Sequence, residues 1–350
     1  MHPINCTNAT RKTTVEQSGT LDGENAMKAI YNGLLVSFLV VAAGAASGPS
    51  LAANWPERIV RIVVASAPGG SIDLAARLFA DQLTQRWGRP VVIDNRPGAD
   101  GIIAVQALLQ ANDGHTLLLA FPGVVTVVPL LHEKLPYDPV GDLVPISSIA
   151  NDFLTVAVTP ALSIESLDEL VKLAQTRPGR LNWAAAPGAP YLTFLEFQWH
   201  AGVELAYVPY RSSVLALPDL MTGQIQVVVT PLSSALALAR DGKLKLLAVT
   251  TLQRQAAARE LPTATEAGYP ELTIEAPLGL FGPKGMPPDL PERIAADVQA
   301  VAAEPTIIKR LEAVGMLAKA SKPAEYAATL DAQRARWAAL ARAYGMHPQK

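Results

Sequence analysis

Residues 58–83 read RIVRIVVASAPGGSIDLAARLFADQL. The opening run, RIVRIVVAS (58–66), is β-branched and nearly unbroken, the pattern of a strand buried on both faces. A Pro-Gly-Gly turn follows at Pro68–Gly70, and beyond it Ile72, Ala75, Phe79 and Leu83 recur at helical spacing. The same rhythm continues outward, with a strand at PVVIDN (90–95), a helix at GIIAVQALLQA (101–111) and a strand at HTLLLAF (115–121). Strand–helix–strand repetition with apolar strands predicts an α/β fold on a parallel sheet covered on both faces.

The rhythm breaks at LPYDPVGDLVPIS (135–147), a Pro-rich connection, and resumes with the strand FLTVAVT (153–159). A helix at 166–176, strands at RLNWAAA (180–186) and ELAYVPY (204–210), helices at 192–202 and near 213–222, and strands at 225–230 and 244–251 complete a second α/β set. Residues 261–291 read as a connection rich in Pro and Gly, and the chain is mainly helical after it. The expected organisation is two lobes. Residues 53–152 and 275–350 form lobe one, with the C-terminal helices packed back on it, and residues 153–274 form lobe two. Two chain crossings make a hinge, and a hinge between α/β lobes leaves a cleft suited to a small ligand.

The chain has 350 residues, 50% hydrophobic and 17% charged, with a net charge of -2. That balance argues against a nucleic-acid partner, whose phosphates call for a basic surface. From Met27 the sequence runs MKAIYNGLLVSFLVVAAGAASGPSLAANW: Lys28, an apolar stretch from about Leu34 to Ala46, then small residues and Pro49. This is the layout of a secretory signal peptide over 27–52, with cleavage expected near Ala52 after the small residues of Ser50-Leu51-Ala52. The apolar stretch is shorter than the roughly 20 residues a spanning helix needs and is broken by Gly44, Gly48 and Pro49. Residues 1–26 are polar and patternless and read as an upstream extension. The single cysteine, Cys6, lies there, so the exported part has no disulfide, thiol nucleophile or thiolate metal site.

Catalytic and metal-binding patterns are sparse. His115, His132, His200 and His347 show no metal-ligand spacing, and neither a G-x-S-x-G elbow nor a phosphate-binding G-x-x-x-x-G-K-S/T loop occurs. PGADG (97–101) lacks the first half of a dinucleotide fingerprint. No cofactor and no enzymatic activity are expected. A site assembled from distant residues would escape such a search, so an exported α/β enzyme stands as an alternative.

The turn at 68–71 offers a ligand more. With Gly70 as N-cap, Asp73 falls at the third helical position, where a carboxylate bonds back to free backbone N–H groups. The amides of Gly70, Ser71 and Ile72, with the positive end of the helix dipole, would then hold an anion. An ordinary strand-to-helix turn uses the same residues, and composition does not choose between the two.

Several segments occur in order along the chain: WPERIVRIVVASAPGGSIDLAARL, GRPVVIDNRPGADG, DGHTLLL, LPYDPVGDLVPIS, PGRLNWAAA, VPYRSS, GKLKLLAVT and LPTATEAGYPEL. Together they resemble the receptor component of the tripartite tricarboxylate transporters, the Bug family of periplasmic binding proteins, from about Trp55 to Gly345. The resemblance implies a two-lobed, type II periplasmic-binding fold with no metal and no catalysis, holding a small carboxylate by backbone amides, hydroxyls and waters. Carried onto this chain, it places ligand contacts at Ala67, Pro68, Gly69, Gly70 and Ser71, with Asp73 behind them. A second first-lobe contribution falls at Phe121, Pro122, Gly123 and Val124.

In lobe two this sequence departs from the family pattern. The loop that usually carries Ser, Gly and Thr before a His-Leu pair is here Ala186, Pro187, Gly188, Ala189 and Pro190, followed by Tyr191-Leu192. It looks shorter, has lost its hydroxyls and is stiffened by its prolines. Tyr191 stands at the usual His position, Arg211 follows Tyr210 where lysine is commoner, and Thr230 stands where many relatives have Asp. A solvated surface role for Arg211 remains open. The resemblance implies an exported, monomeric receptor in the periplasm that captures a small organic acid and presents it to a membrane permease. Presentation to a membrane sensor fits the same residues.

Overall fold

The computed structural model describes residues 55–186 and 188–344. The expected signal peptide, the stretch before it with Cys6, and Pro187 lie outside the described residues. In chain order, the first lobe opens with β1 (Val60–Val64), α1 (Ser71–Trp87), β2 (Val91–Asn95), α2 (Ile102–Ala111) and β3 (Thr116–Ala120). β1 is buried at all positions but Arg61 and pairs in parallel with β2 and β3. α1 turns Ile72, Ala75, Phe79 and Leu83 inward, one apolar stripe at helical spacing. It stops at Gly88, whose left-handed backbone (φ 61) lets its N–H reach Thr84 O. Two short helices follow, α3 (Gly123–Thr126) and α4 (Val128–Leu131).

The Pro-rich stretch expected to be a connection contains the first half of β4 (Leu143–Asp152), which runs on through Phe153 into β5 (Leu154–Val158). The second lobe then adds α5 (Leu167–Thr176), β6 (Asn182–Ala185), α6 (Ala189–Ala201) and β7 (Ala206–Tyr207). α7 (Leu217–Thr222), β8 (Val227–Pro231), α8 (Leu232–Arg240) and β9 (Lys245–Val249) complete it. The chain returns in β10 (Ala276–Pro283), inside the other segment expected to be a loop. The first sheet has six strands in the order β11-β4-β10-β3-β1-β2, where β11 is Met316–Ala318, and the second has five in the order β7-β6-β8-β5-β9.

Neither sheet is purely parallel, contrary to expectation. β10 runs antiparallel to β3 and β4, β11 antiparallel to β4, and β5 antiparallel to β8 and β9. The reason is how these strands are connected. β4 passes straight into β5, and parallel neighbours need a helical crossover on the same sheet. The crossing is pinned by backbone bonds: Leu232 N–H donates to Phe153 O (2.6 Å), Thr250 N–H to Leu154 O and Ile274 N–H to Thr250 O (both 2.9 Å). Asp152 lies opposite Ala276 on one side and Met316 on the other.

Helices α9 (Leu290–Ala302), α10 (Pro305–Ala313) and α11 (Pro323–Ala343) end the described chain. α9 packs on β4 and α1. The last helix does not stay on the first sheet as expected. Its N-terminal Tyr326 and Leu330 belong to the first-lobe core with Val63, Leu118 and Phe281, whereas Trp337 is buried in the second-lobe core with Trp183, Phe194 and Val229. Arg336 anchors this far end, donating to Thr273 O (2.9 Å), Glu271 O (3.0 Å) and Glu196 Oε2 (3.0 Å). At about 1.5 Å per residue, a helix of 21 residues is long enough to reach both cores.

Candidate functional site

The loops singled out from the sequence follow the C-terminal ends of β1, β3, β6 and β8, where α/β proteins usually hold ligands. After β1, Ala67, Pro68 and Gly69 are exposed, and Gly70 and Ser71 are half-buried. Gly69 has a left-handed backbone (φ 81), which explains the glycine there. Its N–H donates to Asp73 Oδ2 at 2.9 Å. Asp73 also accepts from Arg77 Nε (3.0 Å, Oδ2), Arg77 Nη2 (3.0 Å, Oδ1) and Asn95 Nδ2 (2.9 Å, Oδ1). Burial alone would raise its carboxyl, but the bonds from Arg77, Gly69 and Asn95 outweigh it and hold the group below the ordinary carboxylate value. Asp73 is therefore a brace for the loop, with its acceptor capacity used inside the protein.

The amide set differs from the expected one. Gly70 N–H donates to Ala67 O at 3.3 Å, closing the turn. The helix begins with the bond from Leu74 N–H to Gly70 O, so the N–H groups of Ser71, Ile72 and Asp73 are the three that the helix itself leaves without acceptors. Ser71 and Ile72 remain from the expected trio.

After β3, Phe121 and Gly123 are half-buried while Pro122 and Val124 are buried. Val124 is held in the first-lobe core, and its carbonyl accepts from the Tyr137 hydroxyl at 2.6 Å. The turn after β2 joins this group. Gly98, Ala99, Asp100 and Gly101 all have positive φ (119, 46, 53 and 92). A Cβ on Gly101 would strike Val124 Cγ1 at 2.6 Å and sit 3.6 Å from Ala65 Cβ. The loops after β1, β2 and β3 thus meet at Gly101. Asp100 Oδ2 lies 3.7 Å from His132 Nε2. The sequence signal for this turn is its pair of glycines, Gly98 and Gly101, which no nucleotide fingerprint accounts for.

In the second lobe, Ala186, Gly188 and Ala189 are half-buried. Gly188 (φ 94) approaches Val127 so closely that a Cβ there would lie 3.4 Å from Val127 Cγ1, so the loops after β3 and β6 touch. Tyr191 faces its own lobe. It stacks on Trp183 (5.5 Å between centroids, 10° between planes) and meets Tyr207 edge-on at 4.6 Å. Burial raises both tyrosine hydroxyls above their ordinary value. The Tyr210 hydroxyl is bonded to Asp219 and Arg211 is exposed. Thr230 is fully buried and donates to Ser213 Oγ at 3.2 Å, bracing the loop that carries Tyr210 and Arg211. Tyr191, Tyr210 and Thr230 thus make contacts within lobe two.

The sequence reading missed Asp152. It is 1% exposed at the crossing, between the first turns of α1 and α8. Its Oδ1 accepts from Ser233 Oγ at 3.4 Å, and its Oδ2 is buried without a hydrogen-bond partner. Burial pushes its carboxyl up to about 6, only partly offset by the hydroxyl of Ser71, the N–H of Phe153 and the hydroxyl of Ser233. Among the described residues no cluster of three or more His, Cys, Asp or Glu is placed to hold a metal ion. Two hollows, of about 180 and 230 Å³, are lined elsewhere, one by Asn151, Lys319 and Tyr326 and the other by Phe153, Arg254 and Glu312.

Comparison with known proteins agrees with this architecture. The sequence profile of the tripartite tricarboxylate transporter family receptor matches residues 75–346. Protein BugT of Bordetella pertussis is 30% identical over 316 residues, spanning 89% of this chain and 97% of BugT. The structure of Rpa4515 of R. palustris with adipate superposes with a TM-score of 0.78 at 31% identity, covering 84% of this chain and all of that one. MatC from Rhodopseudomonas palustris with bound malate gives a TM-score of 0.72 at 27% identity, covering 82% and 99%.

Proposed function

The chain belongs to the tripartite tricarboxylate transporter receptors, the Bug family of two-lobed periplasmic solute-binding proteins, and from this we propose that it captures a small organic acid at the crossing of its lobes for a membrane permease. The observation that carries the reading is the start of α1. The free N–H groups of Ser71 and Ile72 cap a 17-residue helix at the mouth of a strand, and the Asp73 brace holds the preceding turn open toward them. Such an end attracts a carboxylate without any side-chain cation. Adipate and malate in two structural neighbours are ligands of that chemistry.

In this reading the 27–52 segment exports the chain and is removed, and the mature protein works as a periplasmic monomer. Residues 53–152 and 275–350 form one lobe and 153–274 the other. Closure around the acid is the signal that the permease reads. Gly123 and Gly188 flank the site from the two lobes, and Arg211 at its exposed rim supplies a cation to longer acids.

The test is native mass spectrometry of the freshly purified mature protein, followed by a thermal-shift panel of mono-, di- and tricarboxylates and aromatic acids. A ligand specific for the native state raises the melting temperature. A panel in which no acid does so would overturn the assignment.

A further inference from the structure

Among the residues around the crossing, Asp152 is the one whose surroundings are hardest to reconcile with a permanently charged side chain. It lies where the first turns of two helices from different lobes converge, facing Ser71 on α1 and Ser233 on α8. One carboxylate oxygen has a long bond to Ser233 and the other has no partner, although the side chain is almost wholly out of water. A buried acceptor with nothing to accept from is costly, and an ionised one more so.

Among the described residues, nothing charged compensates it. The residues opposite it are Ala276 on β10 and Met316 on β11. On neighbouring segments Glu275 is paired with Lys319, Arg254 with Glu266, and Asp73 with Arg77. Glu312 lies in the hollow behind Phe153. The influences on the Asp152 carboxyl are burial, two hydroxyls and one backbone N–H, with no contribution from a charge.

This inference rests on the functional reading above. An acid bound at the Ser71 and Ile72 amides sits beside the residue whose hydroxyl faces Asp152. Two carboxylates sharing a dry site cannot both stay ionised. We propose that Asp152 is the floor of the ligand site and meets the bound carboxylate as a neutral acid, donating from its otherwise unpartnered oxygen, so that each capture takes one proton from solvent. The proton moves from water to Asp152 Oδ2 on binding and returns on release. Acids with a single compact charge would be favoured at the floor, and affinity would follow pH with a slope set by this one residue.

The experiment uses the mature protein and whichever acid of the panel raises its melting temperature most at pH 6. Affinity is measured at pH 6, 7 and 8 for the wild type and Asp152→Asn. A monocarboxylic acid is fully ionised over this range; for a di- or tricarboxylic acid, whose last carboxyl ionises near its lower edge, the acid's own titration is measured alone and subtracted. The wild type should lose about tenfold or more in affinity between pH 6 and 8, since each unit by which the ligand raises a group's pKa is worth a factor of ten. Asp152→Asn should change by less than about twofold over the same range. Calorimetry in two buffers of different ionisation enthalpy should show uptake approaching one proton per ligand at pH 7. That count needs no variant, so a misfolded Asp152→Asn would leave the test intact.

A flat wild-type profile, an equal slope in Asp152→Asn, or no proton uptake would overturn the proposal while leaving carboxylate capture standing. Affinity that rises with pH would point to a cationic group over Asp152 and would also overturn it. Failure of every acid to bind is the separate outcome that removes the functional reading itself.

Discussion

Asp152 and Asp73 are both almost completely buried, yet their carboxyls move in opposite directions. Asp73 is surrounded by donors, so its bonds outweigh burial and its stabilisation is present above the ordinary carboxylate range and lost as the pH falls through it. Asp152 lacks donors, and burial carries it up to about 6. The contribution linked to its proton is therefore present below about pH 4 and lost as the pH rises through 6. At pH 7 the ionised form costs on the order of 2–3 kcal/mol. Without ligand, Asp152→Asn should melt higher than the wild type at pH 7, and the difference should shrink toward pH 4; thermal melts of the two proteins across that range check it. Asp73→Ala should instead lower stability by about 1–3 kcal/mol, by leaving Gly69 N–H and one side-chain N–H of Asn95, which keeps its bond to Ser66 O, without their acceptor. It should also weaken acid binding through the untied loop, which denaturant melts and titrations read separately. A third substitution separates site from scaffold. An added Cβ at Gly70 meets only ordinary contacts, the nearest being Ala67 O at 3.4 Å. Gly70→Val should therefore cost about 1 kcal/mol or less as an altered cap, yet obstruct the Ser71 and Ile72 amides and reduce acid affinity more than about tenfold in titrations. Retained affinity would move the ligand away from α1.

At the scale of single elements, legibility in the sequence follows burial and interruption. β1, β2 and β3 are short apolar runs ended by turns and could be read directly. β4 and β10, neighbouring interior strands of the first sheet, could not. Pro145 sits in β4 beside a register shift opposite Phe281, and β10 carries Pro277, Gly279, Gly282 and Pro283 in eight residues. These residues read as loop because proline cannot donate to a ladder and is tolerated at bulges. Their strand character comes from the pairing partners on both sides, which local sequence does not display. The glycines have a packing cause: a Cβ on Gly279 would collide with the Tyr326 hydroxyl and ring, and one on Gly282 with Met286 Sδ. Gly279→Ala should cost about 1–3 kcal/mol through overpacking, measured by denaturant melts, because the Tyr326 ring is enclosed in the core and has nowhere to go. The turn before α1 was visible for the opposite reason, since Pro-Gly-Gly before a helix is a local pattern. Asp152 was not, because a lone Asp at the end of PISSIAND resembles a turn residue until β11 and α8 cover it.

At the scale of the whole molecule, α11 and Val127 tie the lobes together. Trp337 joins the second-lobe core from a helix whose other end is set in the first, and Val127 reaches the same core from the segment after β3. The wild type should therefore unfold in one calorimetric transition despite its two sheets. Trp337→Ala should cost about 3–5 kcal/mol and broaden or divide that transition, as lobe two loses its strap; scanning calorimetry shows either result. The strap also bears on the order of events during synthesis. The core around Phe281 and the core around Trp183 are not complete until residues 326–337 arrive, and those are among the last described residues to leave the ribosome. A nascent chain thus lacks the material to finish either of these two cores until translation is nearly over.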